Sequence, residues 1–334
     1  MIRKYLLSAA ALTTFTITSG TALSEPVELR INWSVAPSHI TPMINEVPKS
    51  IYRNYGKTYT VKTIRMRGSG PALTALAAGE IDIAGANYQA YALGIINGKQ
   101  NLKAIASVMR SVDVGVDNAF WVRKDAGINK ISDLKGKRIA VNALGGGVHA
   151  AAQKMLNENG LQSGRDFQWV EVRFRAMLSA INTNRIDVAY LVLPFNFRAE
   201  KAGNLKPLFT MRQSLGPQET LLWSAKADFV AKNRQAFVDF LADHIRMRQW
   251  AYDPKNRKVA AEILAKIMRR KASAYEGWVF TDKGYGRTVD ASFDPKLLQK
   301  NVDDLHKLKV IPGTFDVSKH ADLSLLADAK KQLK

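Results

Sequence analysis

The chain has 334 residues, a length that suits about two domains, and carries 49 Lys and Arg against 29 Asp and Glu, a formal net charge of +20. Its 46% hydrophobic content suits ordinary globular cores and is too low for a polytopic membrane protein. Cysteine is absent, which excludes disulfides, thiolate metal sites, a cysteine nucleophile and a lipid-modified cysteine.

The N-terminus reads as a secretory signal peptide over residues 1–24. Arg3 and Lys4 form a positive start, residues 5–17 an apolar stretch, and Ala22 and Ser24 put small residues at −3 and −1 before Glu25. The apolar stretch is too short to span a bilayer, so a soluble, exported chain, periplasmic in a bacterium, is expected. The basic balance favours acidic partners such as nucleic acid, anionic lipid or small anions. Lys and Arg are spread along the chain, however, and export argues against nucleic acid. A generally basic surface without specific meaning is an equally good reading.

Residues 27–33 (VELRINW) alternate apolar and polar as a strand does. Ligands of open α/β sheets sit outside the carboxyl ends of strands. Trp33 is therefore a candidate wall of a site, with a plain core tryptophan as the alternative. His39, in the loop that follows, is a weaker candidate contact. Residues 59–66 read as a second strand. Arg67-Gly68-Ser69-Gly70-Pro71 then leads into a helix over 72–78, with Pro71 as its first residue and Gly79 as its stop. Residues 81–84 resume a strand that passes Gly85 and Ala86 into Asn87 and Tyr88, a small-residue turn feeding a helix. Ser69, Gly70, Asn87 and Tyr88 are candidate ligand contacts.

A crossover over 112–121 and a strand over 120–123 precede residues 133–151, DLKGKRIAVNALGGGVHAA. Here an apolar strand breaks at Asn142, passes Gly145, Gly146 and Gly147, and enters a helix over 148–157 that Gly160 closes. Strand, glycine turn and helix start aim free backbone N–H groups at an anion, because the first N–H groups of a helix lack partners. Gly146, Gly147 and His149 are candidates on that ground. The turn fits neither the dinucleotide fingerprint nor the Walker pattern, and a tight connection that binds nothing is the plain alternative. Residues 169–174 (WVEVRF) alternate, which predicts Glu171, Arg173 and Arg175 on one side of a strand. Either arginine is a candidate bidentate contact to a carboxylate or sulfonate, against the simpler reading of a solvated side chain. Residues 186–193 form an apolar strand ending at Pro194-Phe195, and Phe195 is a candidate ring wall. Beyond it, Asp228 is expected to cap a long helix with an apolar stripe, and Asp253-Pro254 to start the next. No histidines show metal-ligand spacing, and neither metal nor cofactor is expected.

Residues 74–84 (TALAAGEIDIA) and 179–189 (SAINTNRIDVA) align without gaps, Gly79 on Asn184 and Ile81-Asp82 on Ile186-Asp187. The same short helix, left-handed stop and buried strand thus recur, which suggests two halves on one plan. Asp82 and Asp187 read as structural acceptors.

Residues 67–87 (RGSGPALTALAAGEIDIAGAN), 131–151 (ISDLKGKRIAVNALGGGVHAA) and 180–195 (AINTNRIDVAYLVLPF) resemble the solute-binding proteins of bacterial ABC importers, in the subgroup that binds aliphatic sulfonates, taurine and nitrate. The resemblance covers nearly the whole chain after residue 24. It implies a two-lobed α/β fold of the periplasmic binding protein type II, each lobe a mixed sheet flanked by helices, the lobes joined by two crossover strands. The lobes would comprise residues 25–115 with 213–334, and residues 116–212. Met43 to Tyr59 departs from the family pattern, with Pro48 and an Asn54-Tyr55-Gly56 turn. The implied function is capture of a small organic anion, an aromatic carboxylate or sulfonate, in the interlobe cleft by a monomer that delivers it to an ABC permease and its ATPase subunit. An enzyme on the same fold, related to thiamine-precursor synthesis, is the alternative, and a basic surface binder of nucleic acid or lipid a third.

Overall fold

A computed structural model describes residues 25–333, so the leader expected over 1–24 lies outside the described residues. Strands β1 (Val27–Trp33) and β2 (Tyr59–Arg65) run parallel. They are followed by α1 (Ser69–Ala78), β3 (Ala84–Asn87), α2 (Tyr88–Ile96) and β4 (Leu102–Ser111). The chain then builds β5 (Ala119–Arg123), β6 (Arg138–Val141), α3 (Gly147–Glu158), β7 (Gln168–Glu171), α4 (Phe174–Asn182) and β8 (Val188–Leu191). After α5 (Phe195–Ala202), β9 (Leu205–Thr210) and α6 (Met211–Leu215) it returns through β10 (Gln218–Lys226). Five helices complete it: α7 (Ala227–Lys232), α8 (Arg234–Tyr252), α9 (Arg257–Met268), α10 (Pro295–Lys307) and α11 (Leu323–Lys331).

Buried apolar side chains divide into two cores. One joins Leu29 through Met109 with Leu193 and Leu221 through Ala329, and the other runs from Ala119 to Leu215. The strand order of the second is β7-β6-β8-β5-β9. In the first, β3-β10-β4 form one sheet, and an isolated parallel bridge between Ile31 and Ile83 brings β1-β2 alongside. The order there is β2-β1-β3-β10-β4, the same plan, with the fourth strand alone running antiparallel to the other four in both lobes. In each lobe the fourth strand has come from the other side of the molecule.

The internal repeat has a physical counterpart. Arg30 donates to Asp82 from its backbone N, Nε and Nη2 at 2.9, 2.8 and 2.7 Å. Arg138 does the same to Asp187 at 2.9, 3.0 and 3.2 Å. The residues that follow are strand partners, Ile31 with Ile83 and Ile139 with Val188. Gly79 and Asn184 both stop their helices with positive φ, +75° and +56°. Burial raises the Asp187 carboxyl, but the hydrogen bonds and charge of Arg138 outweigh it and hold the group below its ordinary range.

Four local expectations are corrected. Strand β7 ends at Glu171 and α4 starts at Phe174, so Arg173 is the residue before a helix and Arg175 lies in its first turn. They share no strand face. Met177 and Ile181 are buried at helical spacing, with Phe174 half-buried one turn before them, and this apolar period overrides the two-residue alternation of WVEVRF. Helix α1 starts at Ser69, two residues before Pro71. Asp228 is not the cap of one long helix: it lies inside the first turn of α7, accepting from Phe229 N (2.8 Å), and α7 breaks at Asn233 before α8, while Asp253 closes a turn on Lys255 N (2.9 Å) ahead of α9.

Between the lobes the first crossover lies against residues 284–286. Arg110 N donates to Gly286 O (2.8 Å) and Val116 N to Gly284 O (2.7 Å). Gly115 has φ +90°, and a Cβ on it would sit 2.4 Å from Gly286 N. A Cβ on Gly286 would meet Val114 O at 2.6 Å and Arg110 O at 2.8 Å. The two backbones approach this closely only because neither carries a side chain. Gly286→Ala is therefore expected to lower unfolding stability by about 2 kcal/mol or more, the scale of overpacking in a tight site. Gly313→Ala, with its nearest atom at 4.0 Å, should stay within about 0.5 kcal/mol. Urea titrations of the two variants check the contrast.

Candidate functional site

The N-termini of α1, α2 and α3 are tied together by side chains. Ser69, the first residue of α1, accepts a hydrogen bond on Oγ from Asn87 N (3.0 Å), which leaves its own hydroxyl hydrogen free to donate. Gly70 follows in the first turn, with open space where a side chain would stand. Asn87 caps α2, its Oδ1 accepting from Ala90 N at 2.8 Å. Tyr88 is buried at the start of α2, where burial pushes its phenol upward, and its hydroxyl reaches Gln218 Oε1 at 3.4 Å on the second crossover. The next residue, Gln89, is 7% exposed and donates from Nε2 to Gly145 O of the other lobe. A Cβ on Gly147 would stand 3.7 Å from Gln89 Oε1. The glycine turn of one lobe thus faces the small-residue turn of the other.

The turn itself is held locally. Leu144 N donates to Glu171 Oε1 (2.6 Å), and Gly145 N, at φ +72°, to His149 Nδ1 (3.2 Å). The His149 ring packs edge-on to Trp169 with centroids 4.6 Å apart, and burial lowers its pKa against a smaller opposing pull from Glu171. Gly146 precedes α3 without a capping side chain. Among the described residues, the backbone N–H groups of Gly147, Val148 and His149 have no acceptor. They are the unpaired donors of a helix start.

The carboxyl ends of β1 and β3 form the adjoining wall. Asn32 is buried and grips Gly85, accepting from its N at 2.6 Å and donating to its O at 3.3 Å. The Arg65 guanidinium lies 5.1 Å over the ring of Trp33, which is itself 8% exposed. His39 is buried against Gly85, whose Cβ would be 3.2 Å from the imidazole. Burial, helped by the charge of Arg287, pushes the His39 pKa down to about 4 and keeps the ring neutral. Arg287 Nη2 donates to Ser38 O (2.9 Å) and to Pro37 O.

Of the residues singled out in the sequence, Ser69, Asn87, Gly146, Gly147 and His149 are drawn together with Gln89 at the joined turns. Gly70 and Tyr88 sit in the adjoining first turns, and Trp33 and His39 belong to the wall. Phe195 starts α5 and packs with Arg198 (5.5 Å), and nothing in its contacts joins it to the turns. Arg173 and Arg175 are exposed, and neither makes a side-chain hydrogen bond or ion pair among the described residues. Two residues were missed. Gln89 carried no signal beyond its place after Asn87-Tyr88, and Arg287 none beyond the paired glycines around Tyr285. No group of three acidic or histidine side chains able to hold a metal occurs among the described residues. No described helix is long and apolar enough to cross a membrane.

Residues 23–265 match the model of the NMT1-like family. No curated protein sequence matches the chain. Among solved structures, the periplasmic nitrate-binding protein NrtA from Synechocystis PCC 6803 is similar at TM-score 0.70 and 16% identity, over 93% of this chain and 90% of that one. The alkanesulfonate-binding protein SsuA from Xanthomonas axonopodis pv. citri, bound to MOPS, gives 0.67 and 16%, over 90% and 99%. The desulfurization enzyme DSZB gives 0.67 and 14%, over 92% and 100%. At these identities the likeness establishes the fold, a two-lobed binding-protein architecture of mixed sheets flanked by helices.

The neutral burial of His39 has a pH signature. Its ordinary pKa is 6.5 and its folded value about 4, so the unfolded chain binds the proton more readily. The contribution to stability is complete above about 6.5 and is lost as the pH falls toward about 4, up to roughly 3 kcal/mol in all. Chemical denaturation between pH 7 and 4 is expected to give a slope that His39→Gln reduces.

Proposed function

The chain belongs to the NMT1-like family, and from that premise we propose that it is the binding component of a transport system. In this reading an exported monomer captures a small organic anion between its lobes and hands it to an ABC permease driven by its ATPase subunit. The lobes are residues 25–115 with 213–334, and residues 116–212.

The observation that carries the reading is the meeting of three helix starts, linked through Ser69–Asn87 and Gln89–Gly145. Each helix start presents unpaired amides and the positive end of a helix dipole, and three such ends over one spot favour an anion. The Ser69 hydroxyl adds a donor. Trp33 and Tyr88 beside them supply aromatic surface for an apolar body, which favours an aromatic carboxylate or a sulfonate over a bare inorganic ion. The alkanesulfonate-binding protein of the same fold, bound to MOPS, supports that class. Closure of the lobes excludes water and strengthens the donors, and the ligand selects the closed state by binding it better.

The likeness to DSZB favours one other reading, an enzyme on this fold. The chain has no cysteine to serve as a nucleophile, and a bound anion is expected to leave unchanged. Mass spectrometry of MOPS, benzoate and benzenesulfonate after incubation separates the two readings.

Thermal shift against MOPS, taurine, benzoate, benzenesulfonate and nitrate tests the binding role. At one hundred times Kd the stabilisation should reach about 2.7 kcal/mol, and the absence of any shift across these anions would overturn the proposal. Ser69→Ala should weaken the best of them about tenfold or more, the worth of one hydrogen bond to a charged group, and should also lower the melting temperature of the free protein by a few degrees, because Asn87 N loses its acceptor. Calorimetry reads both numbers.

A further inference from the structure

Behind the wall formed by residues 33–39 lie two guanidinium groups without a counter-charge. Arg248 is wholly buried and donates to Ser107 O (2.6 Å), Thr288 O (2.7 Å) and Val108 O (3.2 Å), all of them neutral carbonyls. Arg287 is half-buried, with Nη2 on Pro37 O and Ser38 O, Nη1 on Tyr285 O at 3.4 Å, and a buried Nε that has no partner. Among the described residues no carboxylate comes within 4.0 Å of either. The nearby acids are committed elsewhere, Glu219 to Arg110 at 2.8 Å and Asp290 to Lys330 at 2.6 Å. The neighbouring imidazoles of His39 and His244 are neutral and offer no negative charge.

Two like charges held together in a low-dielectric wall are costly unless an anion comes close. Arg248 is locked on three sides by backbone oxygens. Arg287 is the member nearer the binding side, because its head group reaches the loop carbonyls 37 and 38, at the carboxyl end of β1. We propose that Arg287 is a specificity-determining residue that supplies the counter-charge for the cargo's carboxylate or sulfonate head, acting from behind the loop that follows Trp33. This rests on the binding role proposed above and adds the source of its preference for anions. The helix starts orient the head by hydrogen bonds, and Arg287 provides the full charge that partial dipoles do not.

The test compares Arg287→Gln and Arg287→Lys with the unaltered chain, using whichever of MOPS, benzoate, benzenesulfonate and nitrate binds that chain best. Calorimetry is expected to show at least 30-fold weaker binding for Arg287→Gln and recovery to within about fivefold of the original by Arg287→Lys, since lysine restores the charge but not the forked contacts with the loop. A merely structural role, holding the loop carbonyls by donation, would lower the melting temperature in both variants without separating their affinities. Equal losses in both, or a Gln variant within threefold of the original, overturn the inference while leaving the binding role intact. Failure of the unaltered chain to bind any of the four, or taurine, overturns both. Should Arg287→Gln not fold, Arg287→Lys alone decides: a folded lysine variant that no longer binds refutes the charge role, and one that binds within fivefold supports it.

Discussion

An arginine on one strand, bonded through backbone and side chain to an aspartate just before the neighbouring strand, fixes each lobe. Arg30 with Asp82 and Arg138 with Asp187 each make three hydrogen bonds to a mostly buried carboxylate. The pair sets how deep the third strand sits against the first. A slip of one residue would reverse every side chain of that strand between core and surface, and the clamp removes that freedom. Because the register begins one residue past the clamp in both lobes, the strand ends that feed the candidate site are at a defined height. The loop after Trp33 and the turns at Asn87 and Gly145 all depend on it.

The site is therefore built from backbone more than from side chains. Helix starts can serve as donors only if they are aimed, and the aim comes from strands that end at the right level on both sides of the cleft. Ser69 and Asn87 link two of them within one lobe, and Gln89 reaches across to the third. Opening the lobes must break the Gln89 contact, while the Ser69–Asn87 link moves as one body with its lobe. The close approach of Gly115 and Gly286 lets a third backbone segment join the crossovers at the hinge, and places Arg287 next to the loop it supports.

Much of this was legible along the chain. The repeat of Ile-Asp after a short helix with a left-handed stop found the clamp aspartates, since a buried Asp in an apolar strand start requires a fixed partner. The glycine run at 145–147 found the start of α3, because only residues without side chains turn so tightly into a helix. The reading failed at WVEVRF, where three residues of alternation gave way to the apolar spacing of Phe174, Met177 and Ile181, and with it went the strand-face placement of Arg173 and Arg175. It failed again at Asp228, where the break at Asn233 divides what the apolar stripe suggested was one helix.

Periodicity and the repeated motif determined the doubled plan and the glycine turns, because these are local properties of strands, helices and glycine, and the two-lobed fold class came with the family resemblance of the same segments. Which turns meet was decided only by tertiary structure. Gln89 and Gly145 are 56 residues apart, Arg287 and Ser38 249, and no local pattern signals a partner at that distance. The same holds for charge: that Arg287 and Arg248 come near enough to repel, with no carboxylate within 4.0 Å of either among the described residues, follows from packing, since in sequence they are two arginines among many in a basic chain.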